Sequence, residues 1–194
     1  MNRKIRIRAE KHDDYKNIHT VVEEAFGKEG QNVAELVTLI RNSNNYIPEL
    51  SFVAEVKGKI VGHIMLSHLN LQDENGLHQV VTLSPLAVAP KMQKKGVGSA
   101  LIEVAIKKAD EFLEPMIVLE GSPAFYSRFG FKPAVSIGVT IDLPHWAPEE
   151  AAMVYPLSAY KAEIKGKVAY PPAFDKVNEA SHARSERIDR NVSS

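Results

Sequence analysis

Hydrophobic positions along the chain change period several times, and each change marks an element. Ile5, Ile7 and Ala9 alternate with basic residues, the pattern of a strand with one wet face. Behind the helix-cap types Asp13 and Asp14, the residues Ile18, Val21, Val22 and Ala25 recur at helical spacing. Residues 27–30 break that helix. A second begins near Gln31, with Val33, Leu36, Val37 and Ile40 on one face, and residues 42–48 read as a loop. Residues 52–56 and 60–69 read as two strands joined by Lys57-Gly58-Lys59, a hairpin. A turn at 73–76 leads to a strand over 80–88. Leu101, Ala105, Ala109 and Phe112 then share a helix face, and Pro115 stops that helix. Met116-Ile117-Val118-Leu119 is short and wholly apolar, as a central buried strand is. Ser122 is a cap type, Pro123 suits a first helical turn and Gly130 ends a short helix. Residues 139–143, 152–157 and 167–170 read as further strands, and residues 178–194 as a polar, flexible tail. The order predicts one domain over 1–177 with a single sheet of the mixed α/β or α+β kind.

Composition narrows the function classes. The 194 residues suffice for one sizeable core. Acidic and basic residues balance at 24 each, which argues against a nucleic-acid partner held by broad electrostatics. There is no cysteine, so thiolate nucleophiles, disulfides and cysteine-rich zinc sites drop out together. The histidines are scattered without metal-ligand spacing, so no metal is implied. No apolar run approaches the ~20 residues that span a membrane, and the N-terminus has no signal-peptide core. The expectation is a soluble cytoplasmic protein.

The most specific chemistry lies where the strand ending Leu86-Ala87-Val88 runs into a basic loop, Gln93-Lys94-Lys95-Gly96-Val97-Gly98, and a helix opens through Ser99 and Ala100. A helix N-terminus aims backbone N–H groups and partial positive charge at one spot. Gly96 and Gly98 let a bulky anion approach the backbone, and Lys94 and Lys95 add formal charge. This reads as a pyrophosphate cradle. A dinucleotide fingerprint is the competing reading, with Glu120 ending the next strand at about the right spacing. Against it stand the long approach from Ala89 to Lys95, bulky Leu101 at the third glycine position and an antiparallel hairpin upstream. No Gly-Lys-Ser/Thr follows, so a P-loop is excluded.

The loop resembles the acetyl-CoA-binding signature Gln/Arg-x-x-Gly-x-Gly/Ala of the GNAT superfamily of N-acetyltransferases. Downstream, Ala124-Phe125-Tyr126-Ser127-Arg128-Phe129-Gly130-Phe131 is similar to that family's Ala-x-x-Phe/Tyr-Tyr-x-x-x-Gly-Phe ending. The resemblance covers roughly residues 3–135, and the stretch 164–174 looks like a bacterial subgroup of predicted acetyltransferases. It implies a mostly antiparallel mixed sheet with a splayed central strand pair, and acetyl-CoA as co-substrate. Leu86, Ala87 and Val88 would pair with the pantetheine arm like an extra strand, with Pro85 suited to the distorted position. A backbone N–H near Val88 would polarise the thioester carbonyl. Tyr126 would face the sulfur as general acid; packing beside Phe125 and Phe129 is its plainer role.

The general base is less determined. Relatives that use a glutamate carry it on the strand before the loop, where this chain has Thr82. Glu120, at the mouth of the splay, is the carboxylate best placed by topology, with a solvated strand end as its alternative. Glu55, His63 and His68 lie on the hairpin, and a water chain is a further option. The reading is an N-acetyltransferase acting on a small-molecule or peptide amine, its acceptor side formed by residues 26–45 and the C-terminal strands. A homodimer is left open. The rival is a non-catalytic acyl-CoA-binding or sensor module, favoured by the missing acid at Thr82.

Overall fold

The structure is a computed structural model that describes residues 4–175 and 177. Its framework is a single nine-stranded sheet. Strand β1 (Arg6–Ala9) leads through a short 3₁₀ turn into α1 (Tyr15–Phe26) and α2 (Gly30–Arg41). Then come the three long antiparallel strands β2 (Tyr46–Val56), β3 (Lys59–Asp73) and β4 (Gly76–Val88). Helix α3 (Val97–Glu111) crosses over to β5 (Met116–Glu120), which lies parallel to β4. The chain continues through the one-turn α4 (Pro123–Tyr126), β6 (Lys132–Pro133), β7 (Val139–Thr140), β8 (Ala152–Pro156) and β9 (Gly166–Ala169). In the sheet the strands lie in the order β1-β2-β3-β4-β5-β8-β6, with β9 on β3 and β7 on β9.

Strand alternation sorts the core to the two faces of the sheet. Phe52, Ala54, Ile64 and Leu66 point to the side of α3, where they meet Val97, Leu101, Ile102 and Ala105. Val53, Met65 and Ala87 point the other way and pack with Ile18, Val22, Val37 and Ile40 of α1 and α2. A third cluster gathers Leu69, Leu71, Val80, Met116, Val118 and Val154 toward the C-terminal strands.

The long strands outrun their hydrophobic signals. β2 starts at Tyr46 because its ladder slips between Tyr46↔Ser67 and Ser51↔Met65, which gives Pro48 a place where no donor is needed. β3 and β4 extend to the turn at Asp73↔Gly76, where the Asp73 side chain accepts the backbone N–H of Asn75 and Gly76. Phe112 is a correction. The α3 stripe is Leu101, Ile102, Ala105 and Ala109, whereas Phe112 is 47% exposed. The helix stops one residue earlier, so Phe112 sits at the cap with non-helical backbone. The strand read over 139–143 shrinks to Val139–Thr140, and β6 carried no sequence signal. The polar tail from 178 on lies outside the described residues.

The feature that makes a site is local. Between Leu66↔Leu83 and Ile64↔Leu86, Ser84 and Pro85 face a single residue of β3, so β4 bulges. On its other edge β4 pairs with β5 only at Val81↔Ile117 and Thr82↔Val118. Beyond Thr82 the two parallel strands part, and among the described residues no strand pairs with that edge of β4.

Candidate active site

Two cavities and a smaller recess meet at the splay. The first, about 560 Å³, is lined by Leu86 and Val88 of β4, by Gln93, Lys94, Gly96, Gly98 and Ser99 of the loop and α3, and by Ala25, Phe26, Phe125 and Arg128. Its anion end follows from the backbone. Gly96 is the N-cap of α3 at φ +82°, left-handed backbone that glycine adopts without penalty. Among the described residues no side chain caps the helix, so its first-turn N–H groups are left for an incoming acceptor. At Gly98 an added Cβ would lie 3.5 Å from Phe125 Cζ and 3.7 Å from Val88 Cγ2, inside the space of the cleft. The Gln93 amide donates to the Val88 carbonyl at 3.1 Å and pins the loop to the strand end. Lys94 and Arg128 bring positive charge, with Arg128 lying over the rings of Phe125 and Phe129.

The remaining loop and strand positions point elsewhere. Ala87 is buried on the opposite face, as alternation between Leu86 and Val88 requires, so only its backbone is available to the splay. The Val97 side chain belongs to the core beneath α3. Lys95 folds back and donates to the Lys91 carbonyl. Neither Lys95 nor Ala100 lines the cleft.

Tyr126 sits where β5 ends. Its ring is held edge-on by Phe125 and Phe131, with centroids 5.1 and 5.6 Å away. Gly121 makes this possible: a Cβ there would fall 2.4 Å from Tyr126 Cε2. Burial pushes the Tyr126 hydroxyl up to about 12, so it holds its proton throughout the neutral range. Glu120 borders both the second cavity and the recess, and it accepts a 2.5 Å hydrogen bond from the Tyr170 hydroxyl. Burial first, and the Glu120 charge second, hold Tyr170 well above its ordinary value, so it remains a donor. Thr82 is 2% exposed and borders the recess of about 170 Å³ together with Ser84 and Glu120.

The hairpin candidates for a base are committed to other partners. Glu55 accepts from Arg8 Nε at 2.6 Å, and His68 Nε2 lies 2.9 Å from Glu114. His63 is fully buried, with Nε2 2.8 Å from Glu10. Glu10 also takes both donors of Arg41 at 2.9 Å and the Tyr46 hydroxyl at 2.7 Å. Burial lowers His63, and its buried Nδ1 has no partner among the described residues, so we assign it neutral with the proton on Nε2. Glu10 is pushed up by burial, but the hydrogen bonds from His63 and Arg41 and the Arg41 charge more than reverse this, and it is held as a carboxylate. None of the three hairpin residues lines the cavities described above.

The second cavity, about 630 Å³, opens between the α1–α2 junction and the loop of residues 143–151. It shares Phe26 with the first. Sequence reasoning missed Phe26 and Arg128 as cleft residues: each reaches the loop from a different segment, and only Arg128 sat inside a recognisable motif.

This fold and cleft have counterparts. A family model described as an acetyltransferase (GNAT) domain matches residues 48–133. The crystal structure of the GNAT N-acetyltransferase YhbS of Escherichia coli in complex with CoA superposes with a TM-score of 0.79. It is 27% identical and covers 90% of this chain and 94% of that one. In sequence and fold the chain is similar to the GNAT acetyltransferases. A second GNAT acetyltransferase structure, from Brucella melitensis in complex with acetyl-CoA, matches with a TM-score of 0.71 and 28% identity, over 90% of this chain and 100% of that one. The uncharacterised N-acetyltransferase YjhQ of Escherichia coli is 29% identical over 150 residues, 77% of this chain and 81% of that protein. The sheet is the GNAT one, mostly antiparallel, open and flanked by helices. Among the described residues no group of three or more His, Asp or Glu is placed to hold a metal ion, and no helix is long and apolar enough to cross a membrane.

Proposed function

We propose that this protein transfers an acetyl group from acetyl-CoA to a primary amine. The observation that carries the reading is the parted β4–β5 pair, whose open edge runs from Ser84 to Val88 and ends at an uncapped helix N-terminus. The cleft fits the co-substrate. Leu86 and Val88 would flank the pantetheine arm, whose amides would meet the unpaired β4 backbone. The first-turn N–H groups of α3, with Lys94 and Arg128, would take the phosphates. That the two structural relatives are complexes with CoA and acetyl-CoA supports acetyl-CoA as the co-substrate.

In the transfer itself, the amine nitrogen bonds to the thioester carbon and the carbon–sulfur bond breaks. The products are an N-acetyl amine and free CoA. Tyr126, kept protonated by burial, supplies a proton to the departing sulfur. Glu120 is the carboxylate that would receive the proton lost by nitrogen, with Tyr170 orienting it. A backbone N–H near Val88 polarises the carbonyl.

The buried Thr82 in place of an acid, and the Tyr170 bond to Glu120, favour one second reading: a module that binds acyl-CoA without turnover. A thiol-release assay with acetyl-CoA and a panel of amines separates the two. Amine-dependent thiol release is expected. Tight acetyl-CoA binding with no release for any amine would support the binding module.

A further inference from the structure

We infer that the cavity between the α1–α2 junction and residues 143–151 is the acceptor pocket, and that it takes a primary amine carried on an apolar, ring-sized body. This rests on the amine-transfer reading above and names its substrate class.

Position comes first. The cavity is bordered by Glu120 and Gly121, and Gly121 is the residue against which the Tyr126 ring lies. It shares Phe26 with the cleft assigned to the co-substrate. An amine seated there meets the carboxylate that would take its proton.

Charge comes second. The two cavities divide the signs between them. Among the described residues the first is lined by Lys94 and Arg128 and by no acid, and the second by Glu29 and Glu120 and by no lysine or arginine. A chain whose formal charges cancel has set an anion site beside a cation site.

The walls decide what carries the cation. Val33, Pro123, Leu143, Pro144, Trp146 and Ala151 line the cavity, and its volume of about 630 Å³ suits a compact organic molecule. Apolar walls favour each buried methylene by roughly fourfold in affinity. Away from Glu29 and Glu120 these walls offer little to the hydroxyls of an aminosugar or to the further ammonium groups of a polyamine such as spermidine, which would lose water without gaining partners.

The test uses the full chain loaded with CoA. Calorimetric titration of 2-phenylethylamine, butylamine and spermidine is paired with thiol release from acetyl-CoA using the same amines. 2-Phenylethylamine is expected to bind best and to turn over with kcat/KM about 10-fold or more above spermidine. Leu143→Arg, which places a cation among the apolar walls, should raise the amine KM by about 10-fold and leave that for acetyl-CoA unchanged. Glu29→Gln, a milder change on a half-buried side chain, should weaken 2-phenylethylamine severalfold but not the uncharged 2-phenylethanol. Spermidine bound as well as or better than 2-phenylethylamine would overturn the inference. So would no binding of any amine, or Glu29→Gln without effect. If 2-phenylethylamine binds as described and no amine is acetylated, the transfer reading falls while the assignment of the pocket's occupant stands.

Discussion

Tyr126 is the residue on which chemistry and packing are hardest to separate, because its ring fills the space Gly121 leaves while its hydroxyl stays protonated. Tyr126→Phe keeps the ring. We expect kcat to fall by ~10- to 10³-fold, the range for one acid–base group, with the acetyl-CoA KM and the melting temperature little changed. An unchanged kcat would return the residue to a packing role. The buried Glu10–Arg41–His63 cluster belongs to stability. His63 is lowered from 6.5 by burial, so well above that pH folded and unfolded chains are both neutral and its contribution is complete. Below it the unfolded chain takes up a proton the folded one resists, and stability falls. Glu10, net lowered from 4.5, adds a second loss below that value. Denaturant midpoints from pH 8 to pH 4 should therefore decline below about 6.5, and the upper part of the decline should shrink in His63→Gln. A wild-type midpoint that rises on acidification would contradict the assignment. That His63 is buried beneath Glu10 was not legible in the sequence, since the two are 53 positions apart and meet only once β1 and β3 share a sheet.

At the scale of elements, the loop into α3 was readable because everything it needs is contiguous: strand end, basic residues, glycines, helix. The structure brings Leu86, Val88, Gln93, Lys94, Gly96, Gly98 and Ser99 to one cleft. Gly98→Val tests the element. Its Cβ would stand in ordinary contact with Phe125 and Val88, so the fold should tolerate it, while the branched methyls occupy the cleft. Acetyl-CoA affinity should drop by at least ~10-fold, equivalent to about 1.4 kcal/mol, with an unchanged melting temperature. Full affinity in this variant would place the cradle elsewhere. What the sequence misjudged were element ends. Phe112 continues the helical period but falls one residue past the last helical turn. β2 runs back through Pro48 because a bulge excuses the missing donor. β6 is two residues long, too short for any periodicity to register, and β7 keeps only the first two residues of the strand read over 139–143.

For the whole molecule, the alternation of β2, β3 and β4 and the apolar run of β5 fix a mixed sheet with helices on both faces. The parting of β4 from β5 has no periodic signature. It follows from the bulge at Ser84–Pro85 and from a ladder only two residues long, both properties of pairing between distant segments. Pro85 was the one local hint. The second cavity was less legible still, since the α1–α2 junction and residues 143–151 are joined only by the closed fold. The claim on which the account depends is that the cleft at the splay is built for acetyl-CoA. Calorimetric titration of acetyl-CoA, with NAD as the competing ligand, tests it most directly. The account predicts micromolar acetyl-CoA binding, roughly −7 to −8 kcal/mol, and none by NAD. No heat with acetyl-CoA and a saturable response to NAD would contradict it.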